Sequence, residues 1–180
     1  MTTTDWIIDL ALLGVVFLQV RGRRLSRLQL LIPVGLCTWA ASAYLRGFPT
    51  LGNDVPLIAL GLALGVALGV LAGTSTRVAA DPDGYAVSKA GVAAAIFWIV
   101  GVGTRFAFEL YASYGGGPAI ARFSASHSIT SSEAWTAALV LMAIGEALAR
   151  TGVVAVRGYR VAPDRFFSRP GIIGAGDRAR

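Results

Sequence analysis

The chain has one cysteine, one histidine and one lysine among 180 residues, and only 14% of its residues are charged. Cys37 by itself excludes an intramolecular disulfide, a CxxC redox pair and a cysteine zinc cluster. His127 by itself excludes a multi-histidine metal site, and no carboxylate cluster stands beside it in sequence, so it reads as a solvated loop histidine. No cofactor and no metal are expected. The N-terminus, MTTTDW, also lacks a positive charge ahead of its apolar run, whereas Arg21, Arg23, Arg24 and Arg27 follow that run at once. That order is the reverse of a cleavable signal peptide.

What fills the chain instead is apolar. Hydrophobic residues make up 55% of it, and the mean hydropathy of +0.65 is that of a polytopic membrane protein rather than a soluble domain. Five apolar segments stand out: Trp6 to Val20, Leu28 to Leu45, Val55 to Gly73, Ser88 to Leu110, and Ala134 to Val156. The expected fold is therefore all-α, a polytopic membrane helix bundle of about five transmembrane helices. It divides into a transmembrane domain over residues 1–156 and a basic cytoplasmic tail over 157–180. The first segment is short for a span and contains Asp9; a thin local bilayer or a helix extended into its flanks would accommodate it.

Fifteen of the sixteen basic residues are arginine, and their placement orients the bundle. Arg21 to Arg27, Arg77, Lys89, Arg157, Arg160 and the four arginines beyond fall on one side, twelve in all, against Arg46 and Arg122 on the other. The positive-inside rule then gives an N-out, C-in topology in the plasma membrane. Cations set between and after spans make no single soluble face, which argues against nucleic acid as a partner. The expected partners are the lipid bilayer and, at the basic loop and tail, anionic lipid headgroups; homo- or hetero-oligomerisation stays open.

The third segment, VPLIALGLALGVALGVLAG, has no charge and carries Gly61, Gly65, Gly69 and Gly73. Residues four apart advance about 400°, so these glycines form one slowly curling face, of glycine-zipper type, for close helix packing. Ala59, Ala63 and Ala67 make a second small strip on roughly the opposite side, which suggests a helix sandwiched between two neighbours. Packing within the subunit is favoured over dimerisation, because a five-helix chain supplies its own partners.

Two connections carry structural signals. Asp81-Pro82-Asp83-Gly84 fits a type I turn, with Thr76 to Ala80 and Tyr85 to Ser88 able to pair as a hairpin; the spacing of an EF-hand loop is missing. The stretch from Tyr111 to Glu133 reads as a long external loop ending in the capping box Thr130-Ser131-Ser132-Glu133, which places the start of the last helix near Ser131.

Ionisable residues inside spans are the strongest functional pointers, since a charge near the bilayer centre costs at least about 2.5–3.5 kcal/mol. Glu146 falls near the middle of the fifth span with Arg150 one turn later, and Arg105 and Glu109 repeat that spacing in the fourth span. Trp98, Phe106 and Phe108 flank Arg105, while Trp39, Tyr44 and Trp135 lie near span ends, where aromatics anchor at the interface.

The run from Thr76 to Arg157 contains, in one order, a basic residue after a small-residue span, the Asp83-Gly84 turn, Gly91, Trp98, Arg105 and a last helix ending in Arg150 and Val153-Val154-Ala155-Val156-Arg157. With the early arginine cluster, residues 20 to about 157 resemble the CcdC-like family of small bacterial integral membrane proteins, whose domain has no established function. The family name points to cytochrome c biogenesis, yet the chain has neither CxxC nor CxxCH, so thiol transfer and haem attachment find no support. The resemblance implies a membrane protein of unknown role.

Three readings follow. The first is a non-enzymatic multi-span protein, a helper or interaction component organised by its Arg/Glu pairs. The second is a small intramembrane enzyme, a cyclase or isomerase of a lipophilic substrate, with Glu146 or Glu109 as proton donor and Arg105, Arg150 and Trp98 around the ligand. The third is a transporter or channel subunit with Glu146 in an ion or proton path.

Overall fold

The computed structural model describes residues 23–25, 27–44 and 49–163. The first apolar segment, Arg21, Arg46 and the arginines from Arg165 onward lie outside the described residues. Within them the chain runs β1 (Arg23–Arg24), α1 (Arg27–Tyr44), α2 (Asp54–Ser75), β2 (Arg77–Ala80), β3 (Ala86–Lys89), α3 (Val92–Tyr111), α4 (Gly117–Ser126) and α5 (Ser132–Val161). The molecule is predominantly helical, and three stretches are long and apolar enough to cross a membrane: Asp54–Ser75, Val92–Ser126 and Ser132–Val161. The apolar part of α1, Leu30–Ser42, is shorter than such a span.

α2 and α5 form the spine. They run in the same direction, and successive glycines of α2 meet the α5 backbone at successive turns: Gly61 at Ala138, Gly65 at Met142, Gly69 at Glu146 and Gly73 at Arg150 and Val153. A Cβ on Gly61 would come 2.5 Å from the Ala138 carbonyl oxygen, and one on Gly73 2.8 Å from the Val153 Cβ. The small residues thus set how near the two backbones lie, which in lipid is the main source of helix–helix attraction. Ile58, Ala137 and Ala138, with Leu57 and Leu141 against them, close the contact at its start. The Ala59, Ala63 and Ala67 strip behaves differently from the sandwich expected of it, because all three alanines are exposed.

The Asp81–Gly84 turn forms with its hairpin. Gly84 N donates to Asp81 O at 2.8 Å, Tyr85 N donates to Asp81 Oδ1 at 2.8 Å, and Gly84 takes the left-handed φ of +78° that glycine tolerates best. β2 and β3 pair antiparallel from Arg77↔Lys89 to Ala80↔Ala86. A third strand, unforeseen in the sequence, joins them: β1 pairs with β3 through Arg23↔Ser88 and Arg24↔Val87. Lys89 and Ser88 are therefore strand, and α3 begins only at Val92, four residues inside the expected span. Ala86 is buried against Ala162, with Leu25, Leu30 and Ala155 around them, so the sheet lies against the end of α5. The start of α1, the ends of α2 and α5 and the start of α3 thereby share one end of the bundle, together with Arg77, Lys89, Arg157 and Arg160.

The segment expected to be an external loop is mostly helical. α3 passes into a wide turn over Ala112–Gly116, where Tyr114 (φ −103°, ψ 35°) and Gly115 (φ +105°, ψ 0°) leave helical geometry. α4 restarts at once at Gly117 with Pro118 in its first turn, a position that suits the fixed φ and missing N–H of proline. Glycine-rich sequence here breaks the helix at Tyr114 and Gly115 and does not dissolve it. α5 starts as expected, but its cap is Ser131, whose Oγ accepts from Ala134 N at 3.2 Å. It also runs past 156 to Val161, so Arg157 and Arg160 are helical residues.

Candidate functional site

The charged residues of α3 and α5 meet, though not in the expected pairs. Arg105 Nη1 donates to Glu146 Oε2 at 3.0 Å, an ion pair between helices in place of two pairs within them. The cause is Gly101. It lies one turn before Arg105 on α3, and a Cβ there would come 2.7 Å from both Glu146 Cδ and Oε1. The bare glycine therefore lets the carboxylate lie directly on the α3 backbone, within reach of Arg105 on the same face. Behind it, Gly69 of α2 presses on the Glu146 backbone. Glu146 is 3% exposed, and at about 21 Å along α5 from Ser132 it sits mid-helix. Its Oε1 has no hydrogen-bond partner.

The other candidate residues stand apart from this pair. Arg150 is half-buried one turn beyond Glu146, close enough to interact with it through space. Glu109 is exposed, and Trp98 is half-buried two turns before Arg105, with no ring contact or hydrogen bond among the described residues.

Two polar clasps were not foreseen. At one end Asp54, fully buried, accepts from Thr130 N at 2.7 Å and from Thr130 Oγ1 at 2.5 Å. Asn53 N donates to Ser128 O and Asn53 Nδ2 to His127 O, each at 2.9 Å. These bonds tie the first turn of α2 to the approach to α5. At the opposite end Arg157 Nη1 donates to the carbonyls of Gly73, Thr74 and Thr76 at 3.0, 2.7 and 2.6 Å. These carbonyls lie at the C-terminal end of α2, where a cation is favoured by the helix dipole. In sequence Arg157 reads as a tail cation; an aspartate opening a helix and an arginine 84 residues from its acceptor carry no local signal of pairing.

Aromatic residues gather at the Asp54 end. Phe108 stacks on Trp135 with ring centroids 5.1 Å apart, and Trp135 Nε1 donates to Ser124 Oγ at 3.0 Å. Phe123 stacks on His127 at 4.0 Å, and the imidazole Nδ1 lies 3.0 Å from both Ser126 Oγ and Phe123 O. His127 is thus engaged within its own turn of chain. Tyr111, Ala119, Ile120, Phe123 and Trp135 line an open cleft of about 270 Å³ that no carboxylate lines. No protein-family model, curated protein or solved structure matches the chain.

Proposed function

We propose that this is a non-enzymatic integral membrane protein of the plasma membrane, a helper or interaction component whose bundle is locked by the Arg105–Glu146 pair. The observation that carries the reading is where the carboxylate points: Glu146, 3% exposed, is turned onto Arg105 and closed in by Gly101 and Gly69. A buried ion pair of this kind specifies which helices meet and in which register. The enzyme reading has less support, since Glu109 is exposed and the aromatic cleft has no acid in its lining.

The topology is five spans, N-out and C-in, with the sheet end of the bundle in the cytoplasm. Its support is the gathering of Arg77, Lys89, Arg157 and Arg160 at that end, where they meet anionic headgroups. The likeness to CcdC-like proteins remains part of the proposal, resting on the order of Arg77, Gly91, Trp98, Arg105 and Arg157. The exposed Ala59, Ala63 and Ala67 strip, flanked by exposed Leu60 and Leu64, is the face offered to lipid or to a partner helix.

The test is reconstitution of the full chain in sealed vesicles. Ion and proton flux no greater than that of empty vesicles is expected, together with loss of folding stability in Glu146→Gln. A flux abolished by Glu146→Gln in a fully folded variant would replace this reading with the transport one.

A further inference from the structure

We propose that Glu146 is a proton-binding site inside the bilayer, and that loading it releases Arg105 and frees α3 from α5. The proposal rests on the reading of this pair as the lock of the bundle. Its starting point is the unequal treatment of the two carboxylate oxygens. Oε2 accepts from Arg105, while Oε1, on a side chain that is 3% exposed, accepts from nothing. A buried acceptor left without a donor costs about 1–3 kcal/mol, and more when it is charged. The free oxygen is a place for one more hydrogen.

The surroundings select the ligand. Gly101 leaves the carboxylate in contact with the α3 backbone, and no group of three or more acidic, histidine or cysteine side chains able to hold a metal ion occurs among the described residues. The proton is the cation that fits so close a site. The charged groups around it are Arg105 on α3 and Arg150 on α5; α2 brings no ionisable side chain between Val55 and Ser75, and α1 brings only Cys37 between Leu28 and Ala43.

Uptake forms one O–H bond at Oε1 and breaks one O–H bond of a hydronium ion, which leaves as water. The pair passes from net neutral to a single positive charge on Arg105. An unpaired guanidinium is unfavourable in hydrocarbon, and the Arg105 side chain, already 20% exposed, is drawn toward water. α3 touches α5 far less extensively than α2 does; the Arg105–Glu146 ion pair and the Phe108–Trp135 stack tie it to that helix. Removing the ion pair frees this part of α3 from α5, while the α2–α5 spine, joined by glycine packing, and the packing of α3 on α2 stay intact.

The experiment uses the full chain in nanodiscs and two readouts. In a background of Glu109→Gln and Glu133→Gln, both exposed positions, Glu146 is the one glutamate left; glutamate-specific carbon-13 label then identifies its carbonyl stretch in infrared difference spectra. Spin labels at Ile99→Cys and Leu148→Cys, exposed sites on α3 and α5, in a Cys37→Ser chain report the interhelix distance. From neutral to about pH 4, a label-shifted carboxylic-acid band is expected to appear together with lengthening of the distance by a few ångströms. Glu146→Gln is expected to hold the longer distance at every pH. If that variant lengthens the distance but the wild type gains no acid band, the lock stands and the proton site is overturned. If the band appears and the distance never changes, release is overturned. If Glu146→Gln leaves the distance unchanged, the lock itself is wrong. Should that variant not fold, the band and distance in the Glu146-containing chain still decide the question.

Discussion

Thr130 binds Asp54 through both its backbone N–H and its hydroxyl, 76 residues apart in sequence, and so fastens the start of α5 to the start of α2. Asp54 is wholly buried, with no cation partner among the described residues. Thr130→Val keeps the shape and the backbone bond but removes the hydroxyl; an unfolding titration in detergent is expected to show a loss of about 1–3 kcal/mol. Unchanged stability would mean that Thr130 Oγ1 is dispensable to Asp54.

The pair of Arg105 and Glu146 calls for a double-mutant cycle. Either single change, Arg105→Leu or Glu146→Leu, leaves one charge uncompensated and is expected to destabilise by about 3–5 kcal/mol. The double change should recover most of that loss, because both charges leave together. Strict additivity of the two losses would show that the groups do not interact. His127→Ala, which removes an exposed ring held within its own turn, is expected to change stability by less than about 0.5 kcal/mol.

Glycine positions on α2 and α3 should differ sharply. Gly65→Ala drives a Cβ onto the Met142 carbonyl, and Gly101→Ala drives one onto the Glu146 carboxylate; each is expected to cost about 1–3 kcal/mol or more, as overpacking does. Gly103→Ala meets nothing within 4 Å and is expected to be neutral or stabilising by up to about 1 kcal/mol. Thermal melts of the three variants under one condition check the order.

Arg157 and Arg160 lie on the same helix but do different things. Arg157→Gln removes the donor shared by three carbonyls at the end of α2 and is expected to increase hydrogen exchange at residues 73–76, where the backbone would open more readily. Arg160→Gln, at an exposed position, should leave that exchange unchanged. Equal protection in both variants would contradict the clasp.

The elements legible in the sequence are those with a local physical cause. The uncharged run of α2, the Asp81–Gly84 turn and the start of α5 at Ser131 each follow from residues within a few positions of one another. The position of Glu146 was legible too, but its partner was not, because spacing of four favours Arg150 whereas the missing side chain at Gly101 opens a path to α3. The exposed alanine strip of α2 shows another limit: lipid and a neighbouring helix are equally apolar, so composition does not separate them. α4 was hidden by the glycines before it, whose conformational freedom is used at Gly115 alone. β1 is only two residues long, too short for alternation to register.

The parallel course of α2 and α5 has a consequence for synthesis. A helix whose main partner points the same way must wait while the chain crosses back, and here the wait covers the hairpin, α3 and α4. At ordinary elongation rates of about 5–20 residues per second, α5 is finished on the order of 10 s after α2. Until then the glycine face, the Asp54 carboxylate and the carbonyls of Gly73 and Thr74 all lack the groups that later cover them. α5 and the residues that lead into it therefore complete three separate contacts of α2, and a nascent chain stopped before Thr130 has none of the three.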